Sequence, residues 1–143
     1  MKDLMRSSLF LTLVAMTASA SSSCWFNVST VRYDEERVAA SSATDRFVSL
    51  FNDRKFGEIY EMTDERAKAT KSKTGLITIL SRLREDNGKL VQLERNDSTA
   101  SLRDGYVEVT LKFNVKFERT VNHMAFVWYV FNGKAALFAI EVA

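Results

Sequence analysis

Few side chains in this sequence are of the kind that does chemistry, and the first is a lone histidine. His123 could serve as a general base, a role that needs a carboxylate to orient it and a concave site around it. It lies in an apolar run, next to Asn122 and Met124, and shares a strand face with Ala125 and Val127. No acid is fixed beside it by spacing. The reaction class it would suit is an isomerase or hydratase, with Tyr60 or a nearby acid assisting. The plainer reading is a solvated or hydrogen-bonded strand histidine. One histidine and one cysteine cannot furnish the ligand set of a zinc site, and no cofactor motif occurs.

Binding chemistry has a wider choice of residues. Tyr60, Tyr106, Trp128 and Tyr129 combine apolar rings with polar tips, the make-up of a wall that lines a small, mainly apolar ligand. The same residue types also pack in cores with the polar tip at the boundary. Arg66, Lys68, Lys71 and Lys73 fall within eight residues and could meet an anionic surface such as lipid headgroups. Asp64 and Glu65 dilute that patch, so a solvated face competes with it. Asn27 and Asn96 each head a glycosylation sequon, which matters only in a eukaryotic secretory pathway.

Cys24 is the single cysteine, and the residues before it resemble an export signal. Lys2 and Arg6, offset by Asp3, flank an apolar run over 9–18. That run is too short to cross a bilayer, which takes about 20 apolar residues. Ala18-Ser19-Ala20 fits a small-residue cleavage site. Residues 1–23 therefore read as a signal peptide and 24–33 as a linker or anchor segment. Cys24 sits where a lipoprotein carries its lipid, although Ser21-Ser22-Ser23 departs from the usual lead-in. The rival is cleavage after Ala20, which leaves a free thiol. Either way the expected location is the cell envelope, in the periplasm or on the outer surface. The membrane is a partner only if Cys24 is acylated.

The remaining chain must supply whatever positions these groups. Its 143 residues suffice for one domain, expected over 34–143. The composition is globular, 46% hydrophobic and 27% charged, and the net charge of +2 is spread among both signs. A nucleic-acid partner usually demands a clustered basic face, so none is expected. Asp34, Glu35 and Glu36 open a first helix on the acids a helix N-terminus favours. Ala40, Ala43, Phe47, Leu50 and Phe51 give it one apolar stripe, and Asn52-Asp53 breaks it. A short helix follows over 55–62. Thr63 can cap a further turn, and 61–73 is charged enough to read as a solvated loop. A third helix runs from Ser72 or Thr74 to Asp86, with Leu76, Ile79, Leu80 and Leu83 buried and Arg82, Arg84 and Glu85 in water. Asn87-Gly88 ends it in a left-handed cap.

Four strands come next. The first, over 89–102, turns polar halfway and reads as a bent or bulged edge. The second, over 106–117, alternates strictly, with Val107, Val109, Leu111, Phe113, Val115 and Phe117 on one face. The third, over 121–132, is apolar on both faces, which suits a central strand or one with its outer face in a contact. Asp104-Gly105 and Asn132-Gly133 are hairpin turns. The last strand covers 135–142. Three helices ahead of a four-stranded antiparallel meander make an α+β fold with the helices on one face of the sheet.

The helix–break–aromatic rhythm of 47–62, the helix ending in Asn-Gly and the four closing strands resemble nuclear transport factor two-like domains. They are similar above all to small exported bacterial proteins with that fold. The resemblance covers about 40–142. It implies a curved, cone-like sheet wrapped around a helix, with a pocket at the open end. Enzymes of that superfamily place acid, base and tyrosine side chains there, and no such set matches here. The function expected is an exported, non-catalytic domain that binds a small apolar ligand, a protein partner or a second copy through the sheet or the cone mouth. The alternative is the isomerase or hydratase that uses His123.

Overall fold

In a computed structural model of the protein, residues 32–143 are described. Residues 1–23, expected from the sequence to be a signal segment, and Cys24 lie outside them. The elements are α1 (Asp34–Asn52), α2 (Phe56–Glu61), α3 (Glu65–Lys68) and α4 (Lys73–Asn87), then β1 (Leu90–Arg103), β2 (Tyr106–Phe117), β3 (Val121–Phe131) and β4 (Lys134–Val142). The strands form one antiparallel sheet in the order β1-β2-β3-β4, so β1 and β4 are its edges. The fold is α+β, with α1 packed across one face of the sheet and α3 at its β4 edge.

Alternation decides which face that is. The odd-numbered apolar residues of β2 from Val107 to Phe117 are buried, as are Met124, Phe126, Trp128 and Val130 of β3. They meet the α1 stripe. Phe47 stands edge-on to Phe126 with ring centres 5.0 Å apart, and Phe51 meets Phe117 at 6.2 Å and Phe56 at 6.0 Å. Each large apolar side chain so buried is worth about 1.5–3 kcal/mol. Asn52 closes the seam. Its Nδ2 donates to the Leu90 carbonyl (2.9 Å) and its Oδ1 accepts from the Leu90 N–H (2.8 Å), standing in for a strand partner where α1 ends.

The β1–β2 and β3–β4 hairpins turn on paired positive φ angles. Asp104 and Gly105 have φ of 44° and 86°, and Asn132 and Gly133 have 48° and 73°. Register shifts at the Leu90/Gln92 and Arg95/Asp97 steps bulge β1, and its polar half lies on the sheet edge.

The sequence reading needs correction at three places in the helical half. A fourth helix, α3, forms inside the stretch expected to be loop. Its cap is Asp64, whose carboxylate accepts from the Arg66 N–H, while the Thr63 hydroxyl is committed to the Ile59 carbonyl. α4 is rotated from the expected setting. Leu80 and Arg84 face inward, with Arg84 8% exposed, whereas Ile79 is 53% exposed. The long stem of Arg84 supplies apolar cover where an aliphatic residue was expected. Finally, Gly88 has φ 82° and ψ −161°, an extended glycine conformation in place of the left-handed cap.

Candidate functional site

The sequence-derived site residues divide between two faces of the sheet and do not share a pocket. Trp128 is 0% exposed and belongs to the core. Its indole N–H donates to the Thr44 hydroxyl at 3.0 Å, which in turn donates to the Ala40 carbonyl at 2.9 Å. A residue so enclosed lines no ligand wall, and the polar tip that suggested one is satisfied by a helix hydroxyl. Tyr106 and Tyr129 project from the opposite, outer face, because Tyr129 is one residue out of phase with Trp128.

On that face they form an aromatic cluster with Phe138, tilted between the two tyrosines and stacked between Tyr129 and Phe138. Ring centres are 4.3 Å apart between Tyr106 and Tyr129 and 4.2 Å between Tyr129 and Phe138. The Arg66 guanidinium lies 4.1 Å from the Tyr106 ring centre and 4.5 Å from that of Tyr129. Asp64 holds it there through Arg66 Nε (2.9 Å) and Nη2 (3.3 Å). Partial burial works to raise the Asp64 carboxyl, but the hydrogen bonds from the Arg66 side chain and backbone outweigh it and leave it below the usual aspartate range. The second apolar face of β3 is thus covered in part by the chain's own Arg66 and Phe138.

Burial, and then the neighbouring Tyr106 hydroxyl, pushes the Tyr129 phenol up to about 12. A group raised on folding stabilises the fold fully below its unfolded value, about 10 for tyrosine. That contribution is lost as pH rises through the folded value. Between about pH 9 and about pH 11.5 the urea midpoint should therefore fall, and by less in Tyr129→Phe. Parallel falls in parent and variant would put the alkaline loss elsewhere.

The expected basic patch is mostly neutralised. Arg66 is bound to Asp64, Lys68 to Glu65 at 2.9 Å and Lys73 to Glu61 at 3.0 Å. Lys71 alone of the four makes no ion pair among the described residues. His123 is exposed on the outer face, where its Nδ1 meets Asn114 Oδ1 at 2.8 Å. It borders a shallow depression with Asn96, Lys112 and Glu141, not the enclosed site the isomerase or hydratase reading required. Its hydrogen-bond partner is an amide and not a carboxylate. Among the described residues no three metal-ligating side chains come together.

Of the four proposed wall residues only Tyr60 borders a cleft. This cleft runs between α4 and β4. Leu76, Ile79, Leu80 and Leu83 form one wall and Leu137, Ile140 and Val142 the other, and Tyr60, Thr63, Ala67 and Lys71 also line it, Thr63 being bridged to Leu137. It opens where α4 leans mainly on α2 and, to a lesser extent, on α1. The stripe read from the sequence as buried is real: Leu80 sits in the core and Leu76 and Leu83 pack against it, while Ile79 stands exposed in the cleft. The signal for the cleft was therefore present, in a helix stripe wider than its core contact. The cleft measures about 90 Å³, against about 300–1,000 Å³ for pockets that enclose drug-sized ligands. It can accept aliphatic side chains or a short alkyl group, and it is too small for a cofactor. No acid–base pair lies in it.

No protein-family model matches the chain, and no curated protein is significantly similar to it. Among the described residues no helix is long and apolar enough to cross a membrane.

Proposed function

We propose that this is an exported, non-catalytic binding domain of the nuclear transport factor two-like kind, and that the α4–β4 cleft is its binding surface. One observation carries the reading: an open cleft walled by aliphatic side chains on both sides, with no catalytic set inside it. The order of helices and strands supports the family likeness, and the sequence before Cys24 supports export, with a lipid on Cys24 as the anchor.

The cleft is tested with n-hexanol as an apolar probe, by methyl NMR on the full chain. Shifts should concentrate on Leu76, Leu83, Ile140 and Val142. They should vanish in Ile79→Glu, which alters an exposed cleft residue without touching the core. Shifts confined to the outer face, or none, would overturn the reading. For the exported half of the proposal, a mass spectrum of protein taken from its own cells should show loss of residues 1–23 and a diacylglycerol on Cys24. A free thiol on a chain beginning at Ser21 refutes the anchor.

A further inference from the structure

Three features of the cleft specify its occupant more closely. The first is the free edge of β4. His123 and Ala143 exchange both backbone hydrogen bonds, at 3.0 and 2.9 Å. In an antiparallel ladder such pairs alternate with non-bonded ones. The register pairs Phe126 with Ile140 and Met124 with Val142. Ile140 and Val142 are therefore the non-bonded positions, and their N–H and C=O groups point away from β3 along the outer edge. Neither has a backbone partner there among the described residues. An edge left open in this way is a template for an added strand.

The second feature is a stop. Farther up the same edge, Leu137 donates to the Met62 carbonyl at 2.9 Å and accepts from the Asp64 N–H at 2.8 Å, in a bridge to Thr63. Part of the edge is thus already paired by an extended segment of the chain. Any strand added at Val142 and Ile140 runs into that segment and must end there. The third feature is charge. Lys71 lines the cleft with Thr63, which is bridged to Leu137, and with Ala67, whose carbonyl takes the Lys71 N–H; among the described residues it is the unmatched cation of its cluster.

The geometry points to a ligand in the form of an extended peptide's carboxyl terminus, added antiparallel to β4. Entering at Val142, its chain runs toward Leu137 and ends at Lys71, which meets the terminal carboxylate. A parallel strand would bring a terminal ammonium to the same lysine. Side chains alternate across a strand, so every second residue of the peptide drops an aliphatic group between Ile79 and Ile140. The cleft volume fits such side chains. This assignment rests on the cleft being the binding surface, and it adds the chemistry, direction and end group of the partner.

The test selects a phage-displayed library of random nine-residue carboxyl termini against the full chain, with counter-selection on the Ile79→Glu chain. Enriched sequences should carry aliphatic residues at alternate positions counted from the end. A resynthesised winner should bind at least tenfold more weakly when its terminus is amidated. The same loss is expected with Lys71→Glu. Ile140→Pro should also weaken it tenfold, because it deletes an outward N–H that β3 does not use. No enrichment over the counter-selected chain overturns the assignment, as does equal binding of acid and amide. A concentration-dependent dimer abolished by Ile79→Glu would give the cleft to a second copy. Contacts between residues 25–31 and Ile140 in the free chain would give it to the chain's own linker segment. Either result overturns the peptide. Hexanol entering a cleft that takes no peptide would leave the binding surface standing and remove only this partner.

Discussion

Trp128→Ala should lower the unfolding free energy by about 3–5 kcal/mol, the usual cost of emptying a large buried aromatic site. With a urea m-value of about 2 kcal/mol/M that is a midpoint drop of about 2 M. Two properties put it at the top of the scale. The ring is wholly enclosed, packed near-parallel to Phe126 with centroids 6.4 Å apart, so no solvent can relax into the space cheaply. Its N–H is also tied to Thr44 across the helix–sheet interface. Trp128→Ala leaves that hydroxyl only its bond to Ala40.

The hydrogen bond can be separated from the packing. Thr44→Val keeps the shape of the side chain and strands the indole N–H, which should cost about 1–3 kcal/mol. Trp128→Phe removes the donor as well as some volume. In the double variant the two losses should fall short of additive, because no donor is left to strand. Urea melts followed by far-ultraviolet circular dichroism read all four chains without depending on tryptophan emission. Additive losses would mean the 3.0 Å contact carries no coupling. A Trp128→Ala loss below about 1 kcal/mol would contradict its place in the core.

The sheet was legible in the sequence for a simple reason. In β2 the side-chain period is two and one face is buried, so burial repeats the alternation. Asp104-Gly105 and Asn132-Gly133 marked their turns because few residue pairs accept positive φ in succession. The cleft was half legible. Leu76, Ile79, Leu80 and Leu83 form an apolar stripe, but periodicity does not say whether a stripe meets a core or an opening. That depends on how far α4 stands from β4, which tertiary contacts set. The open edge at Ile140 was invisible, since a strand paired on one side alternates in the same way as one paired on both. Arg66 is exposed, as a solvated charge should be, but its place over two aromatic rings was not legible. Its partners Tyr106 and Tyr129 are distant in sequence, and only the fold brings their faces beneath it.

The far wall of the cleft depends on the junction where α4 hands over to β1, and Gly88→Ala should damage that junction more than any other glycine substitution. A Cβ at Gly88 would stand 2.5 Å from Glu118 Oε2 and 2.8 Å from Glu118 Cβ. The Glu118 carboxylate is not free to leave, since it accepts the Lys89 N–H at 2.7 Å. Around it, Arg119 N–H donates to the Asn87 carbonyl at 3.1 Å, its guanidinium reaches the Glu85 and Asp86 carbonyls, and Thr120 Oγ1 donates to Asn87 Oδ1. These bonds fix the end of α4 to the β2–β3 turn. Gly105 is the control, with φ +86° and open space where its Cβ would stand. Gly105→Ala should cost about 1–2 kcal/mol of backbone strain alone. For Gly88→Ala the backbone contributes about 1–3 kcal/mol, and displacing Glu118 adds to it, for a total of about 3–4 kcal/mol. Glu118→Ala in the Gly88→Ala background should recover only part of the loss, because the Cβ contact survives. Equal urea midpoints for Gly88→Ala and Gly105→Ala would show that strain, and not the Glu118 contact, governs the junction. If the junction does hold α4 in place, Gly88→Ala should also weaken hexanol binding in the cleft under conditions where the chain is still folded, an effect that Gly105→Ala, at the opposite end of β2, should not produce.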